Sequence, residues 1–369
     1  MGIAKRLLLI ALIVLAVLVL LAESVPRLVS IPGLTLKELD PYAAGMRDAW
    51  VQPHPYLAYA PKPGFRQEDR QHRREHNSLG FRGPEIAPRK PAGTLRIACL
   101  GGSSTYGFGP SSNETTWPMR LEHHLRQALP AQAIEVINGG CQGYSTFESL
   151  GNLAFRMLDL SPDVVIVYHT VNDMHCALYP GVKPDNTHWR AVWLRSERSW
   201  IEDSRTFLIL RRYLTDYILT QKDLGNYAIV DFDANLTGGR DPYAWRADTG
   251  FRNFHRNLNS IVSLALDNGA AVVLATQGLK RETWQQQASR DVKYRAFDAM
   301  TETVRVVARE RGATLVEAAR VLEAEAERRK REGVAQEIFT NDVHLTDAGA
   351  DLLARTFAQA ILQAGLLSR

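Results

Sequence analysis

Three cysteines, Cys99, Cys141 and Cys176, are all that the 369 residues contain. That number excludes a disulfide-built scaffold, and their spacing matches no zinc motif. Neither sign of charge is in marked excess: 44 Lys and Arg against 40 Asp and Glu leave a formal +4, too mild a balance to suggest a nucleic-acid partner. Internal repeats and low-complexity tracts are missing, and a hydrophobic share of 45% with 23% charged residues is that of a globular protein able to bury a full core. The glycines between residues 101 and 109 come without the lysine of a Walker motif and without G-x-G-x-x-G spacing, so a nucleotide-phosphate loop is disfavoured.

Long apolar runs are also scarce. The one present, Leu7 to Ala22 behind Lys5 and Arg6, is short for a membrane-spanning helix and at the upper end for a signal peptide. An uncleaved N-terminal membrane helix is the favoured reading, although Ala22 and Ser24 are small enough for a cleavage site and leave secretion open. Lys5 and Arg6 favour a cytoplasmic N-terminus, so everything after Val25 is expected outside the cytoplasm. Residues 1–24 thus read as anchor or signal, and 25–93, rich in Pro and Arg, as linker and collar. Its arginines, among them Arg70, Arg73, Arg74, Arg82 and Arg89, read as a solvated basic loop, or else as a contact for anionic headgroups or an acidic polymer.

What is abundant is alternation. Apolar runs at Leu95–Leu100, Ile134–Ile137, Val164–Tyr168, Ala271–Ala275 and Thr314–Glu317 read as strands. Between and after them, Trp117–Leu129, Phe147–Leu158, Phe254–Leu266, Arg290–Arg309, Ala318–Arg331 and Asp347–Leu362 carry helical periodicity. This rhythm predicts an α/β fold, a three-layer α/β/α sandwich whose five-stranded sheet is mostly parallel. Residues 94–369 form that domain, interrupted at about 174–250 by an aromatic-rich insertion. Trp189, Trp193, Trp200, Phe207, Tyr213, Tyr217 and Tyr227 in it are expected to pack a helical cap, or in part to line an acyl or sugar pocket.

The stretch Leu95 to Gly109, LRIACLGGSSTYGFG, delivers Ser103 to a turn at the carboxyl end of a buried strand, where open α/β sheets place their sites. Three further segments follow: Asn138-Gly-Gly-Cys-Gln-Gly-Tyr-Ser145, His169-Thr-Val-Asn-Asp173 and Thr340-Asn-Asp-Val-His-Leu-Thr-Asp-Ala-Gly349. Acyl transfer to serine needs a base and donors for the oxyanion, and these segments offer both.

Taken together, the segments resemble the four blocks of the SGNH (GDSL-like) hydrolase superfamily, in the family's order, from about Leu95 to the C-terminus. The resemblance implies a flavodoxin-like sheet, with Ser103 as nucleophile and Gly102 standing where the family has Asp. It further implies His344 as general base, and an oxyanion hole made of the Ser103 N–H, the Gly143 N–H and the Asn172 side-chain amide. Thr170 replaces the glycine of the third block. The fourth departs more seriously: three residues before His344 stands Asn341, and Asp342 comes one place later. Asp342 is favoured as the orienting carboxylate, with Asn341 or a backbone carbonyl as the alternative. His169 is read as structural, Cys99 as a core thiol, and Cys141 with Cys176 as a pair able to join in an oxidising compartment.

The piece Asn77-Ser-Leu-Gly-Phe-Arg-Gly83 is similar to the lead-in of membrane-anchored members. The resemblance therefore implies a membrane-anchored, extracytoplasmic serine esterase acting on acyl or acetyl esters of envelope lipid or glycan, without metal or organic cofactor. An O-acyltransferase of envelope polysaccharide, or a catalytically impaired binding module, are the alternatives.

Overall fold

The computed structural model describes residues 2–32, 34–35, 39, 50–52, 54–57, 59–69, 72–178, 182–186, 200–214, 242–287 and 289–367. In chain order, α1 (Ile3–Leu28) precedes two short antiparallel ribbons, β1 (Val51–Gln52) with β2 (Ala60–Pro61) and β3 (Arg66–Glu68) with β4 (Arg73–Glu75). There follow β5 (Thr94–Gly101), α2 (Ser103–Tyr106), α3 (Trp117–Ala128), β6 (Ala133–Asn138), α4 (Thr146–Asn152), β7 (Val164–Tyr168) and α5 (Val171–Leu178). Beyond these lie α6 (Arg205–Leu214), α7 (Pro242–Asp267), β8 (Ala271–Ala275), α8 (Arg290–Arg311), β9 (Thr314–Val316), α9 (Ala318–Arg331) and α10 (Asp347–Gln363).

β5 to β9 make one five-stranded, all-parallel sheet in the order β6-β5-β7-β8-β9, the flavodoxin-like arrangement. Alternation along β5 assigns its residues to two cores. Ala98 and Leu100 face α4, α5, α7 and α8, whereas Ile97 and Cys99 face α3, α9 and α10. Because side chains on a strand alternate faces, a continuous apolar run is what a sheet covered on both sides demands. β7, buried along its whole length, is the centre.

Two elements differ from their expected form. The helix expected over Phe147–Leu158 runs only as α4 and continues as a π turn (Leu153–Met157) and a 3-10 turn (Leu158–Leu160). There Asn152 donates to Gly139 O at 3.0 Å, tying this helix to the loop after β6. The collar is not merely a solvated basic loop either. Arg82 is buried, its guanidinium donating to Asn113 Oδ1 at 2.8 Å and to the carbonyls of Arg73, Tyr106 and Gly107.

All three cysteines are free buried thiols, so Cys141 and Cys176 are not joined. Within the insertion, Trp200 and Phe207 fall on described residues. Trp189, Trp193, Tyr217 and Tyr227, the Tyr213 side chain, and the cap expected of them lie outside those described.

Candidate active site

Four loops meet at the carboxyl end of the sheet. β5 ends at Gly101, and Ser103 opens the single turn of α2, which Gly107 closes at φ +94. Arg82 and His76 grip this turn from the collar: Arg82 through the Tyr106 and Gly107 carbonyls, His76 through Nε2 at 2.8 Å from Tyr106 Oη. Burial lowers the Arg82 pKa to about 10, which still leaves a cation at neutral pH. The same cause lowers His76 to about 4, so the ring is neutral and can bridge Tyr106 to Lys62 O.

The loop after β6 lies against the same turn. Gly139 N donates to Cys99 O at 2.9 Å, Cys141 N to Gly101 O at 3.2 Å, and Asn138 Nδ2 to Tyr106 O at 3.2 Å. Gly143 has φ +71, the left-handed region that favours glycine, and a Cβ there would also stand 2.6 Å from Tyr59 Oη. Tyr59, from the collar, donates in turn to Gln142 O.

From the end of β7 comes Asn172, whose amide donates to Tyr144 O at 2.9 Å. A Cβ on Gly102 would lie 2.5 Å from Asn172 Nδ2. The bare Gly102 backbone is therefore what lets the amide sit beside the serine turn.

His344 arrives on the loop before α10. Its Nε2 stands 2.7 Å from Ser103 Oγ, and its ring lies 6.0 Å from that of Phe108. Burial lowers its pKa below 6.5, with nearby Asp342 acting the other way. A hydroxyl and an imidazole at this distance can pass a proton when Nε2 carries none.

The group on the other ring nitrogen is Asn341, with Nδ2 at 2.8 Å from Nδ1. Its Oδ1 accepts from His344 N at 2.9 Å and from Val343 N at 3.2 Å, which fixes the amide's orientation. An amide NH₂ only donates, so Nδ1 is an acceptor, and in the neutral ring the proton then sits on Nε2, pointing at Ser103. The Asp342 carboxylate accepts instead from Trp284 Nε1 at 3.2 Å and Val343 N at 3.0 Å, and Asp342 O accepts from Lys280 N at 2.7 Å.

A clamp that sequence reasoning missed holds the histidine loop. Ser104 Oγ donates to Val343 O at 2.9 Å and accepts from Gln277 Nε2 at 3.3 Å, while Gln277 Oε1 accepts from Val171 N at 2.8 Å. Gln277 thus links the ends of β7 and β8 to the serine turn. Its place two residues after the run Ala271–Ala275 was the available signal.

His169 is buried behind the site, Nε2 at 2.7 Å from Ser149 Oγ and Nδ1 at 3.6 Å from Asp173. Burial lowers the ring to about 3 and raises Asp173 to about 7. Asp173 also accepts from Thr146 N at 3.0 Å, next to the Ser145 cap of α4.

Residues 99–352 match the model of the GDSL-like Lipase/Acylhydrolase family. Among solved structures, the chain is similar to an acetylxylan esterase from Geobacillus stearothermophilus: 16% identity, 72% of this chain, 94% of that one, TM-score 0.44. A structure described as a GDSL-like lipase from Parabacteroides merdae gives 16% identity, 77% and 100% coverage, and a TM-score of 0.45. An alpha/beta hydrolase enzyme from the metagenome of Lake Arreo gives 16%, 74% and 97%, and 0.42. No curated protein matches the chain.

Proposed function

The chain belongs to the GDSL-like lipase/acylhydrolase family and is an ester-hydrolysing enzyme; from that premise we propose that it works through a covalent acyl-Ser103 intermediate, on the extracytoplasmic side of a membrane. The observation carrying the reading is the 2.7 Å approach of Ser103 Oγ to His344 Nε2. Ser103 Oγ attacks the ester carbonyl carbon while its proton passes to His344. The tetrahedral oxyanion takes hydrogen bonds from the Ser103 N–H, the Gly143 N–H and the Asn172 amide. The intermediate collapses as the imidazolium returns the proton to the leaving alcohol, and water, activated by the same ring, releases the acid.

Accepting a proton at Nε2 requires the proton of the neutral ring to be on Nδ1, which the observed Asn341 amide opposes. The Asn341 side chain must turn for the reaction to proceed, at the loss of its bonds to Val343 N and His344 N. The proposed enzyme is accordingly slower than one with a carboxylate at position 341. Asn341 is also the feature favouring the alternative, a binding module of the same fold.

A fluorophosphonate probe separates the two readings. Phosphonylation of Ser103 in folded protein, with release of acid from simple aryl esters in the absence of a glycan acceptor, is the expected result; no adduct would support the binding module. Gly102→Ala is expected to lower kcat by about 10²–10³-fold, the cost of one displaced oxyanion donor, because the new methyl pushes the Asn172 amide from beside the serine. A thermal midpoint close to wild type alongside that loss would separate this effect from misfolding.

A further inference from the structure

Helix α1 is 26 residues long and none of its hydrophobic window is covered by protein. At about 1.5 Å per residue it is long enough for a hydrocarbon core of about 30 Å. Counting about 20 residues from Leu7, just past Lys5 and Arg6, puts the far edge of the bilayer near Pro26. Glu23 therefore falls where the apolar layer gives way to headgroups, a place where a carboxylate needs partners. It has them in Arg27, one turn further along α1, and in the turn that opens α6. Glu23 Oε2 accepts from Ser204 Oγ at 2.9 Å and from Thr206 N at 3.1 Å, and Thr206 Oγ1 donates to Val19 O at 3.3 Å.

These bonds fix the depth of α6. A segment docked between Val19 and Glu23 of a spanning helix, about 5–10 Å short of Pro26, lies just on the hydrocarbon side of that edge. Its exposed side chains suit that depth. Trp200 is 83% exposed, the most of any large hydrophobic outside α1 among the described residues; Ile201 is 40% and Leu210 55% exposed. The sequence of α6, RTFLILRRYL, has three arginines and no acid, and with Glu202 and Asp203 of the preceding turn the segment keeps a net positive charge. An indole prefers the headgroup boundary, and cations beside apolar side chains suit a surface of anionic lipid.

We propose that residues 200–214 form a second membrane contact, an amphipathic segment lying at the boundary between hydrocarbon and outer headgroups beside α1, with Trp200, Ile201 and Leu210 turned to lipid. The catalytic domain is then seated on the bilayer by two elements, not tethered by one. This placement is independent of the chemistry at Ser103.

The test uses the full chain in phosphatidylcholine–phosphatidylglycerol vesicles. Trp200→Cys, Leu210→Cys and, as a reference, Val334→Cys are each labelled with a polarity-sensitive fluorophore; Val334 is exposed and the native thiols are buried. Expected are a blue-shifted emission at 200 and 210 and its loss when lipids carry a nitroxide near the headgroup, with emission at 334 unchanged. Emission at 200 and 210 as insensitive to the nitroxide as at 334 would overturn the proposal. So would equal quenching at all three positions, or burial of position 200 against a second copy, seen as concentration-dependent disulfide crosslinking between unlabelled Trp200→Cys chains.

Discussion

Replacing Asn341 with Asp is expected to raise kcat by about 100-fold or more, the reverse of the roughly 10⁴-fold loss when a protease triad's Asp becomes Asn. The change is nearly isosteric. One carboxylate oxygen keeps the bonds from Val343 N and His344 N. The other replaces the amide nitrogen 2.8 Å from Nδ1, converting a donor into an acceptor. Nδ1 then keeps the proton, and Nε2 is free to take the one on Ser103. The pH profile should move as well. Burial holds the wild-type His344 below 6.5, so activity falls only as pH drops through that lowered value. A carboxylate at 341 favours the imidazolium, raises its pKa and shifts the acid limb of kcat/KM to higher pH. Steady-state kinetics from pH 4 to 9 on both proteins, about the range over which His titrates, measure both effects. An unchanged rate would mean that the ring is oriented by another group. Asp342→Ala should cost less, because that carboxylate is engaged with Trp284 and Val343 N.

The second large effect is loss. Ser103→Ala is expected to reduce ester turnover by about 10³-fold or more and to abolish fluorophosphonate labelling. Thermal stability should hardly change, since the Ser103 hydroxyl points at His344 and not into the core. Ser104 cannot take over. Its hydroxyl is committed to Val343 O and Gln277, so Ser104→Ala should loosen the histidine loop yet leave the probe adduct on Ser103. Labelling of the Ser103→Ala protein would point to a different nucleophile.

Much of the frame was legible because burial on both faces writes itself into composition. The runs Val164–Tyr168 and Ala271–Ala275 have the bounds of β7 and β8, and Ala318–Arg331 those of α9. What was not legible depended on contacts distant in sequence. The ribbons β1–β4 are two or three residues each, and β3 and β4 carry Arg and Glu on exposed or half-exposed faces, so no period could declare them. Asn341 and Asp342 were both within reach of His344 by spacing. What separates them is the pair of backbone N–H groups that pins Asn341 and the indole that engages Asp342. Arg82 lies within Asn77–Gly83, but its four acceptors come from residues 73, 106, 107 and 113.

That arginine also sets where the protein can be cut. The family match begins at residue 99, and a fragment started there would keep Ser103 and the three later blocks but lose Thr94–Ala98 of β5. It would also strip the serine turn of the guanidinium and imidazole that cross-brace Tyr106 and Gly107, and remove Tyr59 from beneath Gln142. The smallest self-sufficient piece is therefore not the portion held in common with relatives but a longer one, whose N-terminal boundary lies ahead of Trp50, the residue whose ring packs against Tyr106.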